Sequence, residues 1–482
     1  MKNNKAYINF AWSVATIFLA VLVMQTRWQL NIFDICISKT QWNDELLYYK
    51  QIEAIIKNGL RHGIYGYNES RALVGGLGAW SPILYIPYVV FGKIFGWHYF
   101  SPIVFNLICA VIVLFLLFEV LELDIFTKII IGLVLSCNLT YIRYAFSVTP
   151  EFIIIETLLV FAVAMMKLNK EEYSERWFII ANVVMTSLIL SRGYYALLGL
   201  YISYVLYKKS KKSKEIVVVG INTVVALLGY VFVLHFLTAP YFKTLINYGN
   251  LFSFYELIAN IIKCIQVEFV LMYGALFGIN AEGVYYIIFW ICIVLFAILG
   301  IKKGEKQYLL VAFLYLALQF AIWILYDVQI GSRHVIAPSI VGTVVIAIKE
   351  KQKIFNFVIV LAVALLTIGA NSEYSFKPPL DEGHVYCKEL VEQQQQIGKI
   401  IGKSVDEWDN TMIWTISSVY TDLYAVPSYL GINCCYDDYV EKNQVKSLYV
   451  ATNFDAKWDT IARDMNWKLV YKYSETCIWK TR

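Results

Sequence analysis

Charged residues are scarce in this chain of 482 residues. Asp, Glu, Lys and Arg make up 16% of it, against roughly 25% in an ordinary soluble domain. With 59% apolar residues and a mean hydropathy of +0.58, there is too little charge to cover a water-facing surface, which excludes the soluble globular class and assigns the chain to lipid. Metal and redox motifs are missing as well. Nine cysteines are scattered with no CxxC pair and no His/Cys cluster at zinc spacing, so nothing in the sequence argues for a structural metal or a redox motif. These cysteines read as packing residues; the vicinal Cys434 and Cys435, with Cys387 and Cys477, lie in a soluble segment where a disulfide has room to form, and none is assigned. No small-residue cleavage site follows the first apolar run, residues 7–24, which comes after Lys2 and Lys5. That run is a retained helix with its N-terminus in the cytoplasm, not a removed signal. No internal repeat or low-complexity linker interrupts the chain, and a net charge of +5 is too small a surplus to call for a nucleic-acid partner.

What is present is a series of apolar runs of near-spanning length. After 7–24 they fall at 102–121, 127–145, 152–167, 177–190, 194–207, 216–238, 284–299, 308–326, 335–348 and 354–370, giving about eleven transmembrane helices. Two shorter stretches, 82–95 and 265–279, have the length of interfacial or re-entrant segments; the first is broken by Pro82 and Pro87, and neither is counted as spanning. The distribution of lysine tests this reading, because short cytoplasmic loops are rich in Lys and Arg. With eleven spans the inner loops collect Lys167, Lys170 and Arg176, the run Lys208 to Lys212, then Lys302, Lys303 and Lys306, then Lys349, Lys351 and Lys353. One inner loop, 122–126, is acidic and fits poorly. The expected fold is therefore an α-helical polytopic membrane domain over 1–370, with a long first outer loop at 25–101. A small extracytoplasmic α/β domain over 371–482 follows, its helical stretch near 390–403 and its β-rich runs MIWTI, SLYVAT and KLVYKY.

Ionisable residues gather at the outer ends of these spans. In the first outer loop Asp44 and Glu45 open a segment whose Leu47, Ile52, Ile55, Ile56 and Leu60 recur at helical spacing, an amphipathic helix expected on the membrane surface. Acidic residues at a helix start are also ordinary stabilisers of its N-terminus. Glu151, in YIRYAFSVTPEF, lies where the third span emerges and the fourth enters; an ionisable group at that depth is functional by default, with a salt bridge to Arg143 as the structural alternative. The same reasoning selects Arg192 in ILSRGYY and the pair Arg333 and His334 in GSRHVIAPS. Carboxylates and guanidinium groups on one membrane face suit a reaction in which an attacking hydroxyl loses its proton while a phosphate leaves.

The order of these features resembles the GT-C superfamily of membrane glycosyltransferases, in particular the branch of protein O-mannosyltransferases, aminoarabinose transferases and related bacterial sugar transferases. Asp44 and Glu45, followed by Tyr48 and Tyr49, match the acidic motif that follows the family's first helix. Pro82, Ile83, Leu84 and Tyr85 match its Pro-x-x-Tyr segment, with Ser81 where a second proline is usual. Arg143 and Glu151 match the Arg and acid of the second outer loop. Arg333, His334 and Pro338 match the late Arg-aromatic-Pro, with His in place of Tyr. The resemblance covers residues 1–370.

That resemblance implies transfer of a sugar from a polyprenyl-phosphate donor to a hydroxyl or amine on a glycan, lipid or protein acceptor, at the outer face of the plasma membrane. In the implied roles Asp44 is the general base, and Glu151 orients the acceptor or shares a divalent cation, Mg²⁺ or Mn²⁺, with Asp44. Arg143, Arg192 and Arg333 receive the lipid phosphate, with His334 and Tyr85 beside the substrate. Glu45 is a catalytic candidate as part of the same acidic motif, and beside Asp44 as the base it is expected to stay solvated or to support the start of its helix. Two other classes are open to the sequence: a transporter or flippase of a lipid-linked substrate, and a noncatalytic partner of envelope polysaccharide enzymes.

Overall fold

The computed structural model describes residues 2–29, 31, 35, 43–59, 65–67, 82–170, 173–210, 213–237, 253–277, 282–325, 331–350, 356, 360–361, 383–401, 413–416, 432–435, 449–473 and 476–481. Helix α1 (Lys2–Trp28) is followed, in the first outer loop, by α2 (Asn43–Asn58), the short strand β1 (Tyr65–Tyr67), a 3₁₀ turn at Pro82–Leu84 and α3 (Ile86–Phe95). The bundle continues with α4 (Ser101–Leu121), α5 (Ile125–Ser136), α6 (Leu139–Ala145), α7 (Pro150–Lys170), α8 (Glu175–Ser191), a 3₁₀ turn at Gly193–Ala196 and α9 (Leu197–Ser210). It closes with α10 (Ser213–Phe232), α11 (Phe254–Leu276), α12 (Glu282–Lys303), α13 (Lys306–Leu325) and α14 (Gly331–Lys349).

Among the described residues six of these helices, α1, α4, α10, α11, α12 and α13, are long and apolar enough to cross a membrane. The 21 residues of α4 rise about 31 Å, the thickness of a hydrocarbon core. The predicted runs at 152–167, 177–190, 194–207 and 335–348 form α7, α8, α9 and α14; the run at 354–370 lies outside the described residues except for positions 356, 360 and 361. Helix α12 buries 56% of its apolar stretch and α10 only 11%, so α12 is central and α10 faces lipid.

Two elements depart from the sequence reading. The run at 127–145 is one helix followed by another, bent by 73°. Asn138 accounts for the break, because its side chain accepts the N–H of Tyr141 and so caps a new helix instead of continuing the old one. The stretch expected at 265–279 begins at Phe254 and forms the 23-residue α11. Glu256 and Lys263 conceal its first half in a hydropathy reading, and Ser253 caps it by accepting from the N–H of Glu256. Although α11 has a spanning length, Asn260 donates to the carbonyl of Trp323 (2.7 Å), while Glu268 accepts from the Trp323 indole (2.8 Å) and from Gln319. Residues 260–268 thus meet the last two turns of α13.

The tail supplies α15 (Gly383–Ile401), strands β2 (Ile413–Ile416), β3 (Ile432–Cys435) and β4 (Tyr449–Asn453), helix α16 (Ala456–Asp464), and strands β5 (Lys468–Tyr473) and β6 (Thr476–Lys480). The sheet order is β1-β3-β2-β4-β6-β5, parallel from β1 to β4 and antiparallel beyond it. Its edge strand therefore comes from the first outer loop, with Tyr65 opposite Ile432 and Tyr67 opposite Cys434. Strands that pair must share a compartment, so the loop and the tail lie on one side of the membrane. Reporter domains fused after Tyr67 and after Trp479 are expected to show the same sidedness; opposite readings would contradict the sheet.

At the opposite end of the bundle are the last-turn lysines of α7, α9, α12 and α14. The acidic loop that fits the lysine distribution poorly also lies there. Lys5 faces Glu122 at 3.9 Å, Asn9 donates to Glu119 (2.6 Å), and Lys128 donates to Asn9, tying α1, α4 and α5 together.

Candidate functional site

The site lies at the end of the bundle nearest the sheet, where α2 packs beside the break between α6 and α7. Helix α2 does not lie exposed on a surface: Tyr48, Tyr49, Lys50, Gln51, Ile52, Glu53, Ala54 and Ile55 are all buried. The reason is an aromatic cover, in which Tyr49 stacks on Trp97 (5.3 Å) and Tyr99 (5.1 Å) and Tyr48 meets Tyr85 (5.9 Å). On α3, Gly92 leaves room for Ile56 where a side chain would collide with it. Lys50 bonds Glu53 at 2.9 Å, and Lys57 bonds the other oxygen of the same carboxylate. Burial lowers the pKa of Lys50; burial would raise that of Glu53, but the two ammonium charges outweigh it and hold the carboxyl below its usual value.

Glu45 is buried and ion-paired, contrary to the solvated role expected of it. Its carboxylate accepts from Arg143 Nη2 at 2.9 Å, with both side chains 1% exposed, and from the Ser147 hydroxyl. Glu151 binds Arg192 Nη2 at 2.8 Å, again fully enclosed. The anticipated Arg143–Glu151 bridge is thus replaced by two pairs, because α6 turns Arg143 toward α2 while the 3₁₀ turn after α8 brings Arg192 to the start of α7. Tyr144 lies within electrostatic range of Glu151, Arg333 and Arg143, which joins the two pairs and α14 into one cluster.

From Arg192 the network continues to α14. Arg192 Nη1 donates to the Tyr194 hydroxyl (3.2 Å), which lies 2.8 Å from His334 Nδ1. Arg333 is half-buried next to it. Asn106, an asparagine inside an apolar span, holds the corner: its amide donates to the carbonyls of Tyr144, Ala145 and Ser147 and its oxygen accepts from Tyr88.

Ser147, Tyr194 and Asn106 were absent from the sequence-derived set. Ser147 and Tyr194 lie within YIRYAFSVTPEF and ILSRGYY, and a polar residue inside an apolar run is the signal for Asn106. Of the expected site residues, Asp44 is in the first turn of α2 and its side chain lies outside the described residues. Tyr85 is buried against Tyr48.

The expectation of a cation shared by Asp44 and Glu151 rests partly on Asp44, whose side chain lies outside the described residues. No group of three His, Cys, Asp or Glu side chains comes together among them, Glu151 is already bound to a guanidinium, and a cation such as Mg²⁺ asks for about six oxygens.

Beneath Tyr194 opens a cavity of about 140 Å³ between α7, α9, α12, α13 and α14. Leu158, Tyr195, Phe296, Leu318 and Pro338 line its upper part, and from Pro338 to Lys349 it follows α14 for about 17 Å. An ionic cluster thus continues directly into an apolar cleft.

Six helices long and apolar enough to cross a membrane make the chain an integral membrane protein, and its fold is that of a solved membrane protein. It superposes on the crystal structure of ArnT from Cupriavidus metallidurans bound to undecaprenyl phosphate with a TM-score of 0.52, at 12% identity over 98% of both chains. The apo form of the same protein gives a TM-score of 0.52 and 11% identity over the same coverage. No family model matches the sequence, and no curated protein matches it in sequence.

Proposed function

We propose that the protein is a glycosyltransferase that moves a sugar from a polyprenyl-phosphate donor to an acceptor on the outer face of the plasma membrane. The observation that carries this reading is the continuity of the polar cluster of Arg192, His334 and Arg333 with the apolar cleft below Tyr194. An amphiphile with a phosphate head and a hydrocarbon tail has that shape. The ArnT structure of the same fold holds undecaprenyl phosphate, which supports the same class of donor here.

In this reading the acceptor oxygen attacks the anomeric carbon, the bond from that carbon to the phosphate oxygen breaks, and the electron pair leaves with the phosphate. Asp44 takes the acceptor's proton. Glu45 is unsuited to that task because its two oxygens are committed to Arg143 and Ser147. Glu151 fixes Arg192, and through it Tyr194 and His334, so that donors aimed at the phosphate do not have to reorganise. Arg333, always charged and forked, receives the leaving phosphate.

Arg333→Ala is expected to weaken binding of undecaprenyl phosphate to the purified protein by roughly tenfold or more, with Arg333→Lys intermediate, because a lysine keeps the charge and loses the fork. Titration followed by intrinsic fluorescence measures it. Equal affinity in all three proteins would assign Arg333 to structure alone.

A further inference from the structure

The cleft changes character at its far end. There the lining passes from aliphatic and aromatic groups to Asn169, Gln307 and Lys349, at the membrane face opposite the site. A hydrocarbon tail threaded down from Tyr194 gains nothing from these groups. The Lys349 ammonium makes no hydrogen bond or salt bridge among the described residues, and Lys170 and Lys303 stand within its electrostatic range. Glu305 is also in range, but its carboxylate accepts from the Gln307 amide, whose oxygen in turn accepts from Asn169 (2.6 Å). Three ammonium groups outnumber two carboxylates, Glu305, which is engaged by Gln307, and Glu350, so the mouth of the apolar slot is net positive and complements an anion that carries its own hydrocarbon.

We infer that the far mouth binds the phosphate of an anionic phospholipid from the leaflet opposite the site, its headgroup at Lys349 and one acyl chain in the half of the cleft remote from Tyr194. The two lipid sites are then stacked end to end, and the second stands on its own lining, without the transfer reading. A free phosphate has the same charge chemistry but no use for the apolar slot, so competition separates the two sources.

The test uses the full-length protein, delipidated in detergent and titrated with phosphatidylglycerol or phosphatidylcholine, with bound lipid counted by native mass spectrometry. The expected result is roughly tenfold tighter retention of phosphatidylglycerol, loss of that preference in Lys349→Gln, and loss of both lipids from this site in Val345→Trp, which fills the slot and leaves the lysines in place. Equal retention of the two lipids by the unaltered protein would overturn the inference. So would displacement of the lipid by inorganic phosphate, which would mark a free-phosphate site. Should Lys349→Gln fail to accumulate, Val345→Trp decides alone, and phosphatidylglycerol bound to it as to the unaltered protein refutes the site.

Discussion

Glu45→Ala is expected to lower the stability of the folded protein by about 3–5 kcal/mol, the cost of leaving a buried guanidinium without its counter-charge. Arg143 and Glu45 are each 1% exposed, so neither water nor salt screens the loss, and the Ser147 hydroxyl is left with Thr149 as its acceptor. Removing both charges in Glu45→Leu with Arg143→Met is expected to recover much of the loss, since a buried ion pair is worth little more than a packed apolar pair. Thermal unfolding of the detergent-solubilised variants measures this. A Glu45→Ala protein as stable as the parent would show that the pair does not hold α2 to the bundle.

Asp44→Asn is expected to act on rate and not on stability. The amide keeps the size of the side chain and most of its hydrogen bonds but cannot accept the proton, so transfer should fall by about 10²- to 10⁴-fold while the protein accumulates normally. The contrast between neighbours is the informative part. Glu45→Gln should lower the amount of folded protein, because a neutral amide facing Arg143 leaves the guanidinium charge uncompensated, whereas Asp44→Asn should lower turnover per molecule. Transfer measured at matched amounts of folded protein separates the two; near-normal turnover by Asp44→Asn would remove it as the base.

The helices were legible because each apolar run had to satisfy one physical demand, burial in a slab of fixed thickness. Where another demand competed, the sequence misled. Two ionisable residues, Glu256 and Lys263, hid the first half of α11, and a single capping asparagine broke one long apolar run in two. The edge strand β1 was invisible because three residues, Tyr-Gly-Tyr, carry no period, and their partner lies 367 positions away at Ile432. In the site, the charged residues stood out by their depth, but depth does not name partners. Glu45 could be read as an exposed helix-start residue until the fold placed Arg143 and Ser147 against it, about a hundred positions away. The cleft had no linear signature at all, since its mostly apolar lining is drawn from five helices, one of which contributes only Phe296.

The most direct test of the account is the fate of a sugar-labelled polyprenyl-phosphate donor incubated with the purified protein in vesicles and an extract of envelope acceptors. The account predicts that label leaves the lipid and appears on an acceptor, with free polyprenyl phosphate released in equal amount, and that Asp44→Asn abolishes both. Donor that crosses the vesicle membrane intact, with no label transferred, would contradict it and identify a transporter instead.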